Sequence, residues 1–333
     1  MLPDSARSFN KECEMKADET RGRSDVLLVA LGGNALIRKG QKGTIAEQFE
    51  NLKLPMSQIA RLSKRYRIII THGNGPQVGN LMLQQEFSDA VPKLPLEILV
   101  AQTQGQIGYM IESTLDNELM KTGLDKEQFL VSLLSYVVVD QNDPAFQYPS
   151  KPVGPCFPED MADSLPYPTV STPGGRRRVV ASPRPVSIVE KREIRELLLR
   201  GFIVISCGGG GIPVIRESRS FHGVDAVIDK DLASAKLAEE IGVDVFLIAT
   251  DVEGAALSFG RPEQRFLRTL SLSQAVSYLE KGEFPAGSMG PKVEAAAQFL
   301  RTGGKRAVIT SLENIEAAVE GRAGTEFLPD EVH

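Results

Sequence analysis

Glycine-rich strings and two lysine-bearing strings hold most of the chemistry this sequence offers. Leu31-Gly32-Gly33-Asn34-Ala35, Thr71-His72-Gly73-Asn74-Gly75-Pro76 and Ser206-Cys207-Gly208-Gly209-Gly210-Gly211-Ile212-Pro213 each follow a short apolar run. Glycine lets backbone N–H groups approach an anion, because no side chain stands in the way and positive φ is open to it. A tight turn with no ligand has the same composition, so one such string decides little. Neither the six-residue dinucleotide fingerprint nor the lysine-ending phosphate loop is present at the first string. In the second, Asn74 offers a side-chain amide, and Gly73 and Gly75 offer main-chain donors. His72 reads either as a general base or as a hydrogen-bonded structural residue. Cys207 reads as a buried small hydrophobe.

Ile228-Asp229-Lys230-Asp231 leads into an amphipathic pattern over 232–241, and Ser288-Met289-Gly290-Pro291-Lys292 leads into another over 293–300. An aspartate there serves as an N-cap and a lysine as surface charge. The functional alternative places Lys230 on phosphate oxygens, with Asp231 orienting such donors near a helix N-terminus. Pro291 is ordinary first-turn chemistry, which leaves Lys292 to be explained.

These loops need a scaffold that brings them together. From Val26 onward short β-type runs alternate with longer helical patterns, the rhythm of a mostly parallel sheet covered by helices. Strands are predicted over 26–31, 67–70, 202–206, 245–249 and 307–309. Ile45, Phe49, Leu52, Met56, Ile59 and Leu62 form a helical stripe that Pro55 should kink, and 96–119 is helical. Between residues 140 and 185 the rhythm stops, with prolines at 144, 149, 152, 155, 158, 166, 168, 173 and 183. This stretch reads as a small protruding subdomain, with an interdomain linker as the alternative.

Composition excludes several classes. The chain has 333 residues, 42% hydrophobic and 24% charged, with a net charge of -5, so it lacks the basic field of a nucleic-acid binder. No apolar run approaches the ~20 residues needed to cross a bilayer. Cys13, Cys156 and Cys207 are too few for a disulfide framework and share no metal-type spacing with the three histidines, so a reducing cytoplasm is expected and no protein-bound metal. Residues 1–24 lack an apolar core and carry scattered acids, which argues against a targeting peptide and for a disordered extension.

Read together, LGGNA at 31–35, THGNGPQVGNL at 71–81, TQGQIGY at 103–109, NDPAF at 142–146, SKPVGP at 150–155, SCGGGGIPV at 206–214, VIDKDLASAKLAE at 227–239, GSMGPKVEAA at 287–296 and ITSLENI at 309–315 resemble carbamate kinases. The resemblance runs from about residue 26 to 325 and implies the amino-acid-kinase fold, an α/β three-layer α/β/α sandwich around an open, mainly parallel sheet. It implies a first lobe, 25–226, that binds carbamate or carbamoyl phosphate and carries the insert at about 140–185. A second lobe, 227–333, would bind ATP or ADP with its Mg2+. By the same resemblance Gly32, Gly33, Asn34, Gly73, Asn74 and Gly75 surround the phosphoryl and carbamate groups, and Gly208, Gly209, Gly210 and Gly211 line the same crevice. Lys230 and Lys292 match the phosphate-binding lysines, Asp231 the organising carboxylate and Lys151 the lysine of the protruding subdomain. Thr250, Asp251 and Val252 fall at the nucleotide pocket, where the residues after Val252 are smaller than the family pattern. A homodimer acting on small molecules is implied.

Carbamate is already an anion at neutral pH, so its attack on phosphorus needs alignment and charge cancellation, not a strong base. The rival within the fold is an acetylglutamate-type kinase, and the rivals outside it are a binding module without turnover and a nicotinamide-dependent enzyme. Because residues 1–24 lack apolar periodicity, their removal should leave activity and melting temperature nearly unchanged. A large drop in either quantity in the truncated protein would show that the extension docks on the fold.

Overall fold

Strand β1 (Val26–Leu31) is apolar at every position and buried throughout. Side chains alternate faces along a strand, so such a run requires cover on both sides. Val26, Leu28 and Ala30 accordingly enter one core, and Leu27, Val29 and Leu31 enter a second core on the opposite face. The structure, a computed structural model, describes residues 25–87, 90–165, 167–172, 174–285 and 287–330. The amino-terminal stretch 1–24 lies outside the described residues.

The strands that follow are β2 (Arg67–His72), β3 (Phe129–Ser132), β4 (Tyr136–Val139), β5 (Lys151–Phe157), β6 (Thr169–Thr172), β7 (Gly175–Val180), β8 (Pro185–Ile188) and β9 (Phe202–Ile205). After them come β10 (Ile212–Glu217), β11 (Ser220–Gly223), β12 (Val245–Thr250), β13 (Ala256–Leu257), β14 (Arg265–Phe266), β15 (Thr269–Ser271), β16 (Arg306–Ser311) and β17 (Thr325–Leu328). The helices are α1 (Ile45–Leu62), α2 (Gly75–Glu86), α3 (Leu96–Thr122), α4 (Lys191–Leu199), α5 (Lys230–Ile241), α6 (Leu272–Glu280), α7 (Met289–Arg301) and α8 (Ile315–Val319).

Eight strands form the central sheet, in the order β15-β17-β16-β12-β1-β2-β9-β3. Its neighbours are parallel except for β16 and β17. Helices α1 and α3 cover one face through Leu52, Met56, Ile59, Ile107, Ile111 and Leu115. Helices α4 to α7 cover the other through Ile194, Leu198, Leu237, Ala275, Val293 and Phe299. The three-layer, mainly parallel α/β architecture expected from the sequence is the one observed. The chain leaves β1 for β2 on one side and reaches β12 on the other side only after α5. The loops after β1 and β12 therefore part from each other, and they open the crevice where ligands collect in such sheets.

Local departures have local causes. Helix α1 opens on a capping box between Thr44 and Glu47, and its first apolar residue, Ile45, is 52% exposed. It runs through Pro55 to Leu62, so the missing N–H interrupts one rung of the ladder without ending the helix. Helices α5 and α7 start at Lys230 and Met289, earlier than the patterns 232–241 and 293–300 suggest, because apolar periodicity does not register the first polar turn.

Within the 140–185 stretch the chain makes short 3-10 turns and a three-stranded antiparallel sheet ordered β5-β7-β6. Proline and glycine hid these strands from pattern reading. The β5–β7 register breaks between Val153 and Phe157, where Gly154 has a positive φ. This small sheet rests on α2 where Gly79 meets Gly154: a Cβ on Gly79 would lie 2.9 Å from Gly154 Cα. Backbone meets backbone there, so no rotamer change can relieve the contact. Helix propensity alone favours Gly79→Ala by about 1 kcal/mol, yet overpacking of this kind costs roughly 1–3 kcal/mol. The variant should therefore melt lower than the parent in a calorimetric scan; a higher melting temperature would show that α2 and β5 separate freely.

Candidate active site

A cleft of about 390 Å³ opens at the ends of β1 and β12. Its polar part is lined by Gly32, Gly33, Asn34, Thr250, Asp251, Ser288, Lys230 and Lys292, and its apolar part by Val252, Ala256, Phe259, Pro285 and Met289. The first glycine string turns sharply because β1 and β12 stay close: Gly32 N donates to Ala249 O at 2.8 Å, and a Cβ on Gly32 would lie 3.0 Å from the same oxygen. The string then forms a 3-10 turn over Gly33–Ala35.

Charge converges at the start of α5. Asp229 is its N-cap, with Oδ1 accepting from Asp231 N at 2.9 Å and Leu232 N at 3.4 Å. Asp231 therefore sits in the first turn, where it is 3% exposed. One of its oxygens pairs with Lys230 Nζ, and the other accepts from Lys292 Nζ at 3.3 Å. Lys292 Nζ also donates to Ser288 O at 3.3 Å. Burial by itself would raise the Asp231 carboxyl, but the two ammonium groups outweigh it and hold the group below the usual carboxylate range. Burial, helped by Lys292, pulls Lys230 down against the opposing pull of Asp231. Two cations share one anion, so this cluster carries a net positive charge at its part of the cleft wall, while Asp251, elsewhere in the lining, accepts from Thr250 Oγ1. Such a wall suits a phosphoryl group.

The second loop is built against this cluster. A Cβ on Gly73 would meet Lys230 Cδ at 3.3 Å and Gly33 N at 3.5 Å. Thr71 donates to Ser234 Oγ at 2.7 Å, and Ser234 Oγ donates to Lys230 O at 2.6 Å, which pins α5 to β2. The Asn74 amide, expected to face an oxyanion, donates to Thr103 Oγ1 at 2.8 Å and is 3% exposed. Asn74 also occupies the N-cap position of α2, whose first residue is Gly75.

The four glycines 208–211 are buried beneath the second loop and do not appear in the cleft lining. A Cβ on Gly208 would strike the His72 ring, and one on Gly209 would strike the Asn74 amide. Gly209 also has φ +67°, a conformation that disfavours other residues. These glycines let two strand-end loops pack face to face. Gln104 fixes the arrangement, donating to Gly208 O at 3.0 Å and accepting from Ser135 N at 2.9 Å.

Lys151, at the start of β5, pairs with Asp229 Oδ2 at 2.6 Å, so the proline-rich insert reaches the N-terminus of α5. Pattern reading missed several residues of the site. Phe259 and Pro285 lie outside every quoted string, Met289 lies inside one without a role assigned to it, and Thr71, Thr103, Gln104 and Ser234 act through contacts distant in sequence. An aspartate cap was expected before the helix at 232–241, and it is Asp229. Cys207 is buried with its thiol pushed up to about 12 by burial, in keeping with a packing role.

The amino acid kinase family matches residues 25–311. A carbamate kinase of Pyrococcus furiosus is 48% identical over 91% of this chain and 99% of its own length. One of Haemophilus influenzae is 45% identical over 90% of this chain and 96% of its own length. The structure of carbamate kinase from Giardia lamblia bound to AMP-PNP superposes with a TM-score of 0.85 at 39% identity, covering 92% of this chain and 99% of that one.

His72 generates a pH prediction. Burial, with the nearby charge of Lys230, lowers its pKa from 6.5 to about 4 in the folded protein, despite the Gly73 carbonyl 3.2 Å from Nδ1. The unfolded chain takes up this proton from about pH 6.5 downward and the folded chain only near 4, so stability falls as pH drops through that window. The full effect is on the order of 3 kcal/mol. Chemical denaturation at pH 7 and pH 4.5 should show a smaller acid loss in His72→Gln than in the parent. Equal losses would mean that His72 does not set the acid limb.

Proposed function

This chain belongs to the amino acid kinase family and to its carbamate kinases, and from that membership we propose that it transfers a phosphoryl group reversibly between ATP and carbamate. The observation that carries the reading is the pair Lys230 and Lys292, held by one buried carboxylate at the wall of a cleft that opens where two strand-end loops part. A cleft of about 390 Å³ lies within the range of mononucleotide-sized sites. Its apolar residues Val252, Ala256, Phe259, Pro285 and Met289 suit a base, and its glycine loop and lysines suit phosphates. The nucleotide arrives with its Mg2+ as the substrate complex.

In the forward direction a carbamate oxygen attacks the γ-phosphorus, the bond from that phosphorus to the β,γ-bridging oxygen breaks, and the electron pair leaves on ADP. No proton has to be removed from the nucleophile. Lys230 and Lys292 follow the charge as it redistributes among the phosphoryl oxygens, while Asp231 keeps both ammonium groups in place. The main-chain N–H groups of Gly33 and Gly75, with Asn34, complete the anion site, while Gly32 and Gly73 give theirs to Ala249 O and Leu31 O and serve by the lack of a side chain. Asn74 holds its loop through one amide hydrogen given to Thr103 Oγ1, which leaves its second N–H for the anion. The glycines 208–211 contribute indirectly, as the floor on which that loop packs.

We take the β5-β7-β6 sheet as a lid that brings Lys151 to the carbamate end of the site. Carbamoyl phosphate is a strong phosphoryl donor, so the useful direction is ATP synthesis from ADP. We take the enzyme to be a homodimer, as the resemblance to carbamate kinases implies, in a reducing cytoplasm, as its few cysteines imply. Among the described residues no helix is long and apolar enough to cross a membrane. Light scattering gives the oligomeric state directly.

Purified protein supplied with ADP, Mg2+ and carbamoyl phosphate should produce ATP, read by luciferase. No ATP above a protein-free control would overturn the assignment. Lys230→Ala and Lys292→Ala should each lose roughly hundreds-fold in kcat, the equivalent of ~3–4 kcal/mol of transition-state stabilisation, with smaller changes in KM. Wild-type turnover in both variants would remove the two lysines from the mechanism.

A further inference from the structure

Resting on the phosphoryl-transfer reading above, we propose that Asp229 is a positioning residue that couples the lid to the phosphate-binding helix, using one carboxylate oxygen for each. Oδ1 accepts from Asp231 N and Leu232 N and so caps α5, the helix that carries Lys230 and Asp231. Oδ2 accepts from Lys151 Nζ at 2.6 Å. Sequence separates these partners by 78 positions, and the carboxylate is the point at which they meet.

Neighbouring contacts make the meeting specific. Lys151 lies opposite Val180 in the β5–β7 register. The next residue, Ala181, bridges to Ala226 and accepts from Val227 N at 3.0 Å, two residues before Asp229. The base of the lid is thus stitched to the segment that enters α5, and the Lys151–Asp229 pair closes the ring. The Asp229 side chain is 14% exposed and that of Lys151 is 36% exposed, so water screens the pair only partly.

The chemical consequence is a division of labour between two aspartates that flank Lys230. Asp231 holds the cations Lys230 and Lys292, and Asp229 holds the cation of the lid. A flexible ammonium on a proline-rich insert would otherwise sample many orientations, and part of the binding energy of a very small substrate would go into ordering it. Asp229 orders it beforehand. Because its second oxygen anchors the helix bearing Lys230, any shift of the lid is felt where the phosphoryl group binds.

The test separates the two oxygens. Asparagine is as good an N-cap as aspartate but carries no charge, so Asp229→Asn should keep the melting temperature while releasing Lys151. Its KM for carbamoyl phosphate should rise about fivefold, the size expected for losing a partly screened ion pair, with the KM for ADP nearly unchanged. Asp229→Ser, a second neutral cap, should behave alike and guards against a folding defect peculiar to one variant. In a Lys151→Ala background, Asp229→Asn should add nothing further. An unchanged KM for carbamoyl phosphate in both neutral variants, or a full fivefold rise in the Lys151→Ala background, would overturn the proposal and leave Asp229 as a cap alone. Hydrogen–deuterium exchange supplies a readout independent of turnover. Exchange in β5 to β7 should quicken equally in Asp229→Asn, Lys151→Ala and the double variant, while α5 stays protected. Should the wild-type protein make no ATP, the kinase reading fails by itself, and the exchange pattern still decides whether Asp229 couples lid and helix.

Discussion

Two ammonium groups stand close together at the wall of a cleft because one buried carboxylate holds both. The Asp231 carboxylate sits in the first turn of α5, where the N-terminal end of a helix favours negative charge, and its oxygens are divided between Lys230 and Lys292. Breaking a buried pair of this kind costs about 3–5 kcal/mol, since the surviving charge is stranded away from water. The arrangement therefore constrains everything around it. Helix α5 must begin where it does, α7 must aim Lys292 back at it, and the sheet must bring both helices to the same side of β1 and β12.

Close approach of backbones is the second constraint, and it follows from the first. A small anion can be surrounded only if the strand-end loops come within contact distance of one another and of Lys230, which Gly73 allows. Behind that contact lies a second layer of fit, in which the buried glycines 208–211 receive the His72 ring and the Asn74 amide. His72 is thereby held neutral and shut away from solvent, so the one histidine in the glycine loops takes a packing role. A reaction whose nucleophile is already an anion has no need of it.

Much of this was legible in the amino-acid sequence, and the limit falls where contacts become distant along the chain. The apolar runs at 26–31, 67–70 and 245–249 specify strands because each needs cover on both faces, and the spacing between them forces helical crossovers and a parallel sheet. The glycine strings stand out because three of them each end an apolar strand, and the lysines at 230 and 292 because a cation gains nothing from the dipole at a helix start. Their long matches to carbamate kinases supplied the chemistry. By contrast, β5 to β7 were not readable, since prolines and a glycine with positive φ disrupt the alternation that marks a strand.

Sequence by itself determined the apolar strands and the helices of the central layers, which strand ends carry glycine loops and which cations are available. Tertiary structure put Asp229 in the cap of α5 and showed how Asp231, which the resemblance to carbamate kinases already marked as the organising carboxylate, divides its oxygens between two lysines. It alone brought Thr71 to Ser234, Thr103 to Asn74 and Lys151 to Asp229. Those pairs depend on the order of strands in the sheet and on how tightly the layers pack. Local propensity acts over a few residues, whereas the sheet order is settled by the burial of whole faces, and the position of each charge follows from it.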